Sequence, residues 1–182
     1  TRRLSSAASD VYKRQFENNG LKGVIITSNK DNFSAGMDLN VLAHLQDQSK
    51  NKEEIFQFVM RAHKFLRKIE LGGTDYNTKK KAIPFVWACN GLSAGIATEI
   101  GLACHHRIAA DIKNTKIGLP EILVGLFPGA GGATRVSRML GLMASAPILM
   151  EGRMFSAKKA KTIGLINDCL LYTSPSPRDK SS

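Results

Sequence analysis

Short apolar runs alternate with segments of helical periodicity along residues 16–168, and this alternation limits the possible fold more than any other feature. Two short apolar runs, 23–28 and 85–89, are rich in β-branched or aromatic residues and predict buried strands, and 107–110 is a third predicted strand. Between the first two, apolar residues recur at helical spacing from Ile55 to Ile69. Strands separated by helices predict an α/β fold with largely parallel strands.

Capping residues suggest where the helices begin. Asp38 stands where an N-cap would precede a helix, and Pro120 is suited to the first helical position. Ser156 is predicted to cap the final helix. A short apolar helix is expected over 96–103, entered through a turn at 93–95.

The two ends of the chain differ in character from its middle. Residues 1–15 (TRRLSSAASDVYKRQ) show no sustained apolar period, and residues 169–182 (CLLYTSPSPRDKSS) turn to Ser, Pro and charge. Both resemble translated adapter or vector sequence. We therefore interpret 1–15 and 169–182 as non-native flanks and expect one domain over 16–168.

The chain is basic, with 26 Lys and Arg against 15 Asp and Glu and a net charge of +11. The tightest basic run covers 79–81 and has no interleaved aromatic residues, so we predict no nucleic-acid partner. Phosphate groups of a small molecule are an alternative use for the charge. The sequence has no apolar run of membrane-spanning length and no signal-peptide pattern in 1–15. We therefore expect a cytoplasmic protein.

Cysteine and histidine usage argues against a metal site. The three cysteines are Cys89, Cys104 and Cys169, an odd number without paired spacing that fits a reducing compartment. Cys104, His105 and His106 are adjacent in sequence, but neighbours on a strand point to opposite faces. No CxxC motif accompanies them, and we predict no bound metal.

Glu99 is the most informative acidic residue. Its helical position places Leu102 and Ala103 on the same face. Loss of hydration there would raise the pKa of the Glu99 carboxyl and suit it to proton transfer near neutral pH. The alternative interpretation is an ordinary acid in the first turn of a helix, where the macrodipole favours it.

Glu121 follows Gly118-Leu119-Pro120 at another helix start, and by itself the helix dipole would explain it. Two acids at helix entrances can, however, converge on one cleft. Paired carboxylates can position a water molecule and divide the roles of base and acid between them.

Three glycine-containing turns offer backbone N–H groups. The turns at 33–38 and 90–96 lie next to a predicted strand or helix, where free amides stabilise a developing oxyanion. The third, PGAGG at 128–132, lacks the dinucleotide fingerprint because Thr134 stands where glycine is needed. It also lacks the GK[ST] ending, so we predict a tight turn near a helix start.

In combination these motifs are similar to those of the crotonase, or enoyl-CoA hydratase/isomerase, family. The similar stretches are FSAGMDL (33–39), PFVWACNGLSAGIATEIGLACHHRIAA (84–110), GLPEILVGLFPGAGGATRVSRMLG (118–141) and SAKKAKTIGLIND (156–168). Within the family, the hydratase region of multifunctional fatty-acid oxidation α subunits is most alike. The resemblance implies a crotonase-like spiral of repeated strand-strand-helix units, here truncated at both ends.

The resemblance also implies roles for individual residues. Glu99 and Glu121 match the two catalytic glutamates of the family, and the amides of Met37 and Ile96 match its oxyanion-hole donors. The residues implied in binding coenzyme A or substrate are Ala35, Gly36, Met37, Asp38, Leu39 and Gly95. Ile96 replaces a glycine common in the family, and a β-branched side chain restricts φ and crowds a substrate.

The implied function is an enzyme, an enoyl-CoA hydratase that adds water across trans-2-enoyl-CoA in fatty-acid β-oxidation as part of a multifunctional protein. The alternatives are a Δ3-Δ2-enoyl-CoA isomerase and a catalytically impaired acyl-CoA-binding fragment. No bound cofactor is expected, since the coenzyme A thioester is the substrate and NAD belongs to a downstream dehydrogenase part. The implied assemblies of the full-length protein are a homotrimer and a complex with a thiolase subunit, in the bacterial cytoplasm.

Overall fold

The structure is a computed structural model that describes residues 21–38, 52–74 and 81–171. The strands are β1 (Val24–Ile26), β2 (Phe85–Cys89), β3 (Leu92–Ala94), β4 (His106–Asp111), β5 (Lys116–Gly118), β6 (Met154–Phe155) and β7 (Asp168–Leu171). The α-helices are α1 (Lys52–Glu70), α2 (Ile96–Ala103), α3 (Gly132–Leu140), α4 (Leu142–Leu149) and α5 (Ala157–Thr162). A 3-10 helix covers Pro120–Val124.

The strands form two small sheets. The first has the order β1-β2-β4-β7 and is parallel throughout. In the second, of order β3-β5-β6, β3 and β5 are parallel whereas β5 and β6 are antiparallel. The predicted α/β class with largely parallel strands is therefore confirmed.

Strand β2 lies at the centre of the core. Its side chains alternate between buried and half-buried positions, and Phe85, Trp87 and Cys89 point to the buried side. Helix α2 packs closely against Trp87 because Gly101 has no side chain. A Cβ atom on Gly101 would lie 2.7 Å from the Trp87 ring. This close packing fixes the helix that carries Glu99 against the sheet.

Helix α1 is amphipathic, as its apolar spacing predicts. Acidic residues occupy its first turn and basic residues its last, and the helix dipole stabilises charges in this arrangement. Leu66 and Ile69 are buried in the core. None of the helices over the described ranges is both long and apolar enough to cross a bilayer.

One local prediction was wrong. Residues 93–95 were predicted to form a turn, but Leu92–Ala94 is strand β3, which pairs with β5 through Ser93 and Ile117. The partner strand is distant in sequence, so local residue types could not indicate it. Strand β7 covers Asp168–Leu171 and pairs in parallel with β4, and the domain bounds of 16–168 stay a prediction.

The capping predictions have mixed outcomes. The Ser156 hydroxyl accepts a hydrogen bond from the Lys159 amide at 3.4 Å, which confirms the predicted N-cap. Pro120 does occupy the first helical position, although the helix it opens is of the 3-10 type. The helix predicted to follow Asp38 lies outside the described residues.

Candidate active site

A cavity of about 200 Å³ brings four of the predicted site residues together. These four are Glu99, Glu121, Met37 and Ile96. The rest of its lining is almost entirely apolar: Phe58, Val59, Ala62, Leu126, Phe127, Gly129 and Ala130. Two carboxylates on an apolar cavity are a typical arrangement for proton transfer in a site of low polarity.

Glu99 is held by the turn that the sequence presents as PGAGG. It lies in the first turn of α2 and is 2% exposed. Its Oε1 accepts a hydrogen bond from the Ala130 amide at 3.0 Å and another from the Gly132 amide at 2.7 Å. A Cβ atom on Gly132 would lie 2.8 Å from both Cγ and Oε1 of Glu99. Glycine at this position is therefore what lets the turn approach the carboxylate.

Burial raises the pKa of the Glu99 carboxyl above its usual value, as predicted. The hydrogen bonds from Gly132 and Ala130 oppose this rise, as do the charges of Arg135 and His63. Glu99 is thus an acid whose proton affinity is increased by its apolar surroundings and limited by the groups around it.

Glu121 belongs to the 3-10 helix that Pro120 opens. Burial, which outweighs the hydrogen bond from its own amide, raises the pKa of its carboxyl to about 6, and the nearby charge of Glu99 adds to the rise. Its Oε2 is buried and has no hydrogen-bond partner among the described residues. Burying an oxygen without a hydrogen-bond partner costs free energy of folding. Oε2 of Glu121 is therefore suited to accept a hydrogen bond from a ligand.

The segments that contain Met37 and Ile96 lie side by side. The Ser34 amide donates to the Leu92 carbonyl at 2.9 Å, and the Ala94 amide donates to the Ser34 carbonyl at 3.0 Å. This short parallel bridge precedes both Met37 and Ile96 in their segments. Neither the Met37 nor the Ile96 amide donates to a backbone carbonyl within residues 21–38, 52–74 and 81–171.

Four of the other predicted binding residues are described by the structure, and none of the four lines the cavity. Gly36 and Gly95 immediately precede two lining residues, and Ala35 and Asp38 belong to the same segment as Gly36. Leu39 lies outside the described residues.

Isoleucine at position 96 is compatible with the backbone. Gly95 has φ 57° and ψ −129°, whereas positive φ is confined to glycines over the described part of the chain. The conformation that disfavours a side chain therefore falls on Gly95, and the φ restriction expected of Ile96 does not arise. Ile96 lines the cavity.

The adjacent Cys104, His105 and His106 have separate contacts. The Cys104 thiol donates to the Ile100 carbonyl, His105 Nδ1 accepts from the Phe85 amide at 3.1 Å, and His106 Nε2 lies 3.1 Å from Asp168. Over the ranges that the structure describes, no group of three or more His, Cys, Asp or Glu side chains is arranged to hold a metal ion.

The sequence pointed to the two glutamates that line the cavity but not to the amides that hold Glu99. It predicted a tight turn at 128–132 without assigning its amides to Glu99. The available signal was the pair of glycines that ends PGAGG, Gly131 and Gly132, because the close approach of a backbone to a side chain requires residues without a side chain of their own.

Several known proteins are similar in sequence to this chain. A sequence profile described as enoyl-CoA hydratase/isomerase matches residues 4–171. The fatty acid oxidation complex subunit alpha of Vibrio parahaemolyticus is 34% identical over 178 residues, which cover 92% of this chain and 23% of the relative. That of Vibrio campbellii is 33% identical over 181 residues, covering 93% and 23%. The chain therefore spans about a quarter of the length of these relatives.

Solved structures share the fold. An enoyl-CoA hydratase from Bacillus anthracis superposes with a TM-score of 0.72 at 29% identity, covering 92% of this chain and 61% of that one. An enoyl-CoA hydratase from Thermoplasma volcanium gives a TM-score of 0.76 at 24% identity, covering 93% and 62%, which is a similarity of fold alone. With the profile match across nearly the whole sequence, the resemblance found in the motifs is confirmed: the chain belongs to the enoyl-CoA hydratase/isomerase family.

Proposed function

We propose that this chain adds water across the double bond of a trans-2-enoyl-CoA, as the hydratase part of a larger fatty-acid oxidation protein. The observation that carries the proposal is the pair of carboxylates, Glu99 and Glu121, on one apolar cavity. The names of the matched relatives, an enoyl-CoA hydratase and fatty acid oxidation complex α subunits, favour the same reaction.

Glu121 is the base in this proposal. A carboxylate whose pKa is about 6 is mostly ionised at neutral pH and is more basic than an exposed glutamate. It takes one proton from water as the water oxygen bonds to C3 of the enoyl group. The electron pair of the double bond moves toward the thioester, whose oxygen becomes an enolate stabilised by the amides of Met37 and Ile96.

Glu99 supplies the second proton. Both amide hydrogen bonds go to its Oε1, which leaves Oε2 to carry a proton. Burial favours the protonated form, and transfer of this proton to C2 completes the addition. Glu121 then holds one proton gained and Glu99 lacks one, so a proton passed from Glu121 to Glu99 restores the starting state.

The remaining predicted features extend the proposal to binding. The segment around Ala35, Gly36 and Asp38 lies beside the cavity and is suited to contact the coenzyme A moiety, whose phosphates complement a chain of net charge +11. We also propose that the full-length protein assembles as a homotrimer or with a thiolase subunit. The reaction needs no NAD in this part of the protein.

The test is the loss of enoyl-thioester absorbance when the purified chain meets a short trans-2-enoyl-CoA. Glu99→Gln and Glu121→Gln are each expected to lower kcat at least about a hundredfold, because each removes a proton-transfer group. Glu151→Gln, at an exposed position, is the matched control and should retain turnover. Circular dichroism establishes that every variant is folded.

Other outcomes identify the alternatives. Turnover that survives both substitutions in the site would refute the assignment of the glutamates. Conversion of a 3-enoyl-CoA without hydration of the 2-enoyl-CoA would indicate an isomerase. Acyl-CoA binding by the folded chain without turnover would indicate a binding fragment.

A further inference from the structure

Arg135 connects the turn that holds Glu99 to the end of helix α1. It lies on α3 with its side chain 12% exposed. Its Nε donates to Oε1 of Glu70 at 2.7 Å, and its Nη1 donates to the Ala130 carbonyl at 2.8 Å. One planar guanidinium thus fixes two groups from different elements.

The Ala130 peptide links this guanidinium to the carboxylate. Its amide donates to Glu99 while its carbonyl accepts from Arg135. Gly131, with φ 97°, lies directly beneath the guanidinium, and a Cβ atom there would stand 2.6 Å from Arg135 Nη1. The absence of a side chain at Gly131 is what gives Arg135 access to the carbonyl.

Glu70 is built to remain ionised as the partner of Arg135. Burial is the largest single influence and would raise the pKa of its carboxyl, but the hydrogen bonds and charges of Arg135 and Arg67 together outweigh it and hold the pKa below its usual value. The Arg67 contact, from Nη1 to the other oxygen of Glu70, measures 3.0 Å. Glu70 therefore presents a fixed negative charge at the end of α1.

We propose that Arg135 is a positioning residue for Glu99, anchored by Glu70, and that it keeps the Ala130–Gly132 amides aimed at Glu99 Oε1. The consequence for the reaction rests on the hydratase function proposed above. A small displacement of a proton-transfer group is costly, since a shift of about 1 Å can reduce a rate by about a hundredfold.

The electrostatic environment of Glu99 is part of this role. Its charged neighbours are Arg135 from α3, His63 from α1 and Glu121 from the 3-10 helix. Among these, Arg135 is the one that both contacts the turn and carries a permanent positive charge. Its removal is therefore expected to loosen the turn and to increase the proton affinity of Glu99 together.

The kinetic test compares Arg135→Met and Arg135→Lys with Arg138→Met, whose arginine is exposed on the same helix. Arg135→Met should lower kcat about 10- to 100-fold with KM changed less than about threefold, because substrate contacts are retained. Arg135→Lys keeps the charge but not the planar two-partner geometry, so its kcat should lie between the wild-type and Arg135→Met values. Arg138→Met should match the wild type.

A second readout does not depend on turnover. Titration of the Glu99 carboxyl by carbon-13 NMR, assigned with Glu99→Gln, should give a higher pKa in Arg135→Met and an unchanged one in Arg138→Met. If the wild type does not hydrate enoyl-CoA, the proposed function fails while this titration still decides the positioning role. If Arg135→Met does not fold, Glu70→Gln, which keeps the side-chain size, is titrated in its place.

The proposal is overturned if folded Arg135→Met retains wild-type kcat and its Glu99 carboxyl titrates as in the wild type. It is also overturned if Arg138→Met reproduces the losses of Arg135→Met, since a general effect of charge on α3 would then suffice.

Discussion

Gly95 faces the Glu121 carboxylate with no side chain between them: a Cβ atom on Gly95 would stand 3.2 Å from Glu121 Oε1. Gly95 also has φ 57°, a conformation that disfavours any side chain, and it directly precedes the Ile96 amide. Position 95 therefore affects two parts of the site together, the space beside the Glu121 carboxylate and the orientation of the Ile96 amide.

Gly95→Ala should lower kcat as well as the free energy of unfolding. Positive φ costs alanine about 1 kcal/mol, and the added methyl group presses on Glu121. Gly125→Ala is the matched control, because Gly125 has φ 70° and no atom lies within 4 Å of its Cβ position. Both variants should show a similar drop in the free energy of unfolding by urea titration, but only Gly95→Ala should lose turnover. Equal turnover in the two variants would contradict the close approach to Glu121.

Gly132→Ala should disrupt the support of Glu99. The new Cβ atom would lie 2.8 Å from Glu99 Cγ, so either the carboxylate or the turn must move. We expect kcat to fall at least about tenfold in the hydration assay. Gly125→Ala, at a glycine that does not line the cavity and has no atom within 4 Å of its Cβ position, should keep wild-type turnover. A loss of the same size in Gly125→Ala would contradict the assignment of the effect to the contact with Glu99.

Glu121→Gln should stabilise the fold at neutral pH. In the folded state burial raises the pKa of Glu121 from 4.5 to about 6, so the folded state binds the proton more tightly than the unfolded chain. Below about pH 4.5 this raised pKa favours the folded state, and the benefit is lost as pH rises through about 6. The charge is then buried, at a cost on the order of 1 kcal/mol after allowance for its partial exposure.

Urea titrations of Glu121→Gln and the wild type at several pH values measure this difference. The gap between the two should widen between pH 4.5 and about 6 and then level off. Glu151→Gln, at the exposed position, should show no such dependence. A difference in the free energy of unfolding that stays constant with pH would mean that the folded state does not bury the ionised Glu121 carboxylate.

The same pKa sets the pH dependence of the reaction. If Glu121 is the base, kcat/KM for hydration should rise as pH increases through about 6 and reach a plateau above it. An initial-rate profile across this range tests the expectation. A rate that falls as pH rises through 6 would require Glu121 to act as an acid.

Ile96→Ala should change substrate choice rather than abolish turnover. Its side chain lines the cavity, while its backbone conformation does not depend on the residue type. We expect kcat/KM for branched enoyl-CoA esters to rise at least about threefold relative to straight-chain esters, because one more methylene-sized space is worth about 1 kcal/mol or more. Ile100→Ala, one turn further along α2 and not on the cavity, should leave that ratio unchanged.

Periodicity in the sequence was sufficient to predict the elements that stand on local signals. Helix α1, strand β2 and helix α2 follow from their apolar spacing, and the Ser156 cap follows from one residue type. Strand β3 could not be predicted in this way. The strand has only three residues, Leu92–Ala94, and they form a strand only because β5 and the Ser34 bridge lie on either side of them.

The candidate site shows the same division. Glu99 was recognisable because apolar residues share its helical face, and the direction of its pKa shift followed from burial. Arg135 gave no such signal, since an arginine on an amphipathic helix is ordinarily a solvated charge. Its role depends on contacts with Glu70 and Ala130, which are far apart in the sequence and meet only in the folded chain.

Different positions along helix α1 contact different parts of the candidate site. Phe58, Val59 and Ala62, near its middle, line the cavity, whereas Glu70, at its end, anchors Arg135. The glutamates and the amide donors belong to other elements. Descendants of this sequence can therefore reshape the cavity through changes at positions 58, 59 and 62. Glu70 has far less freedom to diverge, because its loss reaches Glu99 through Arg135.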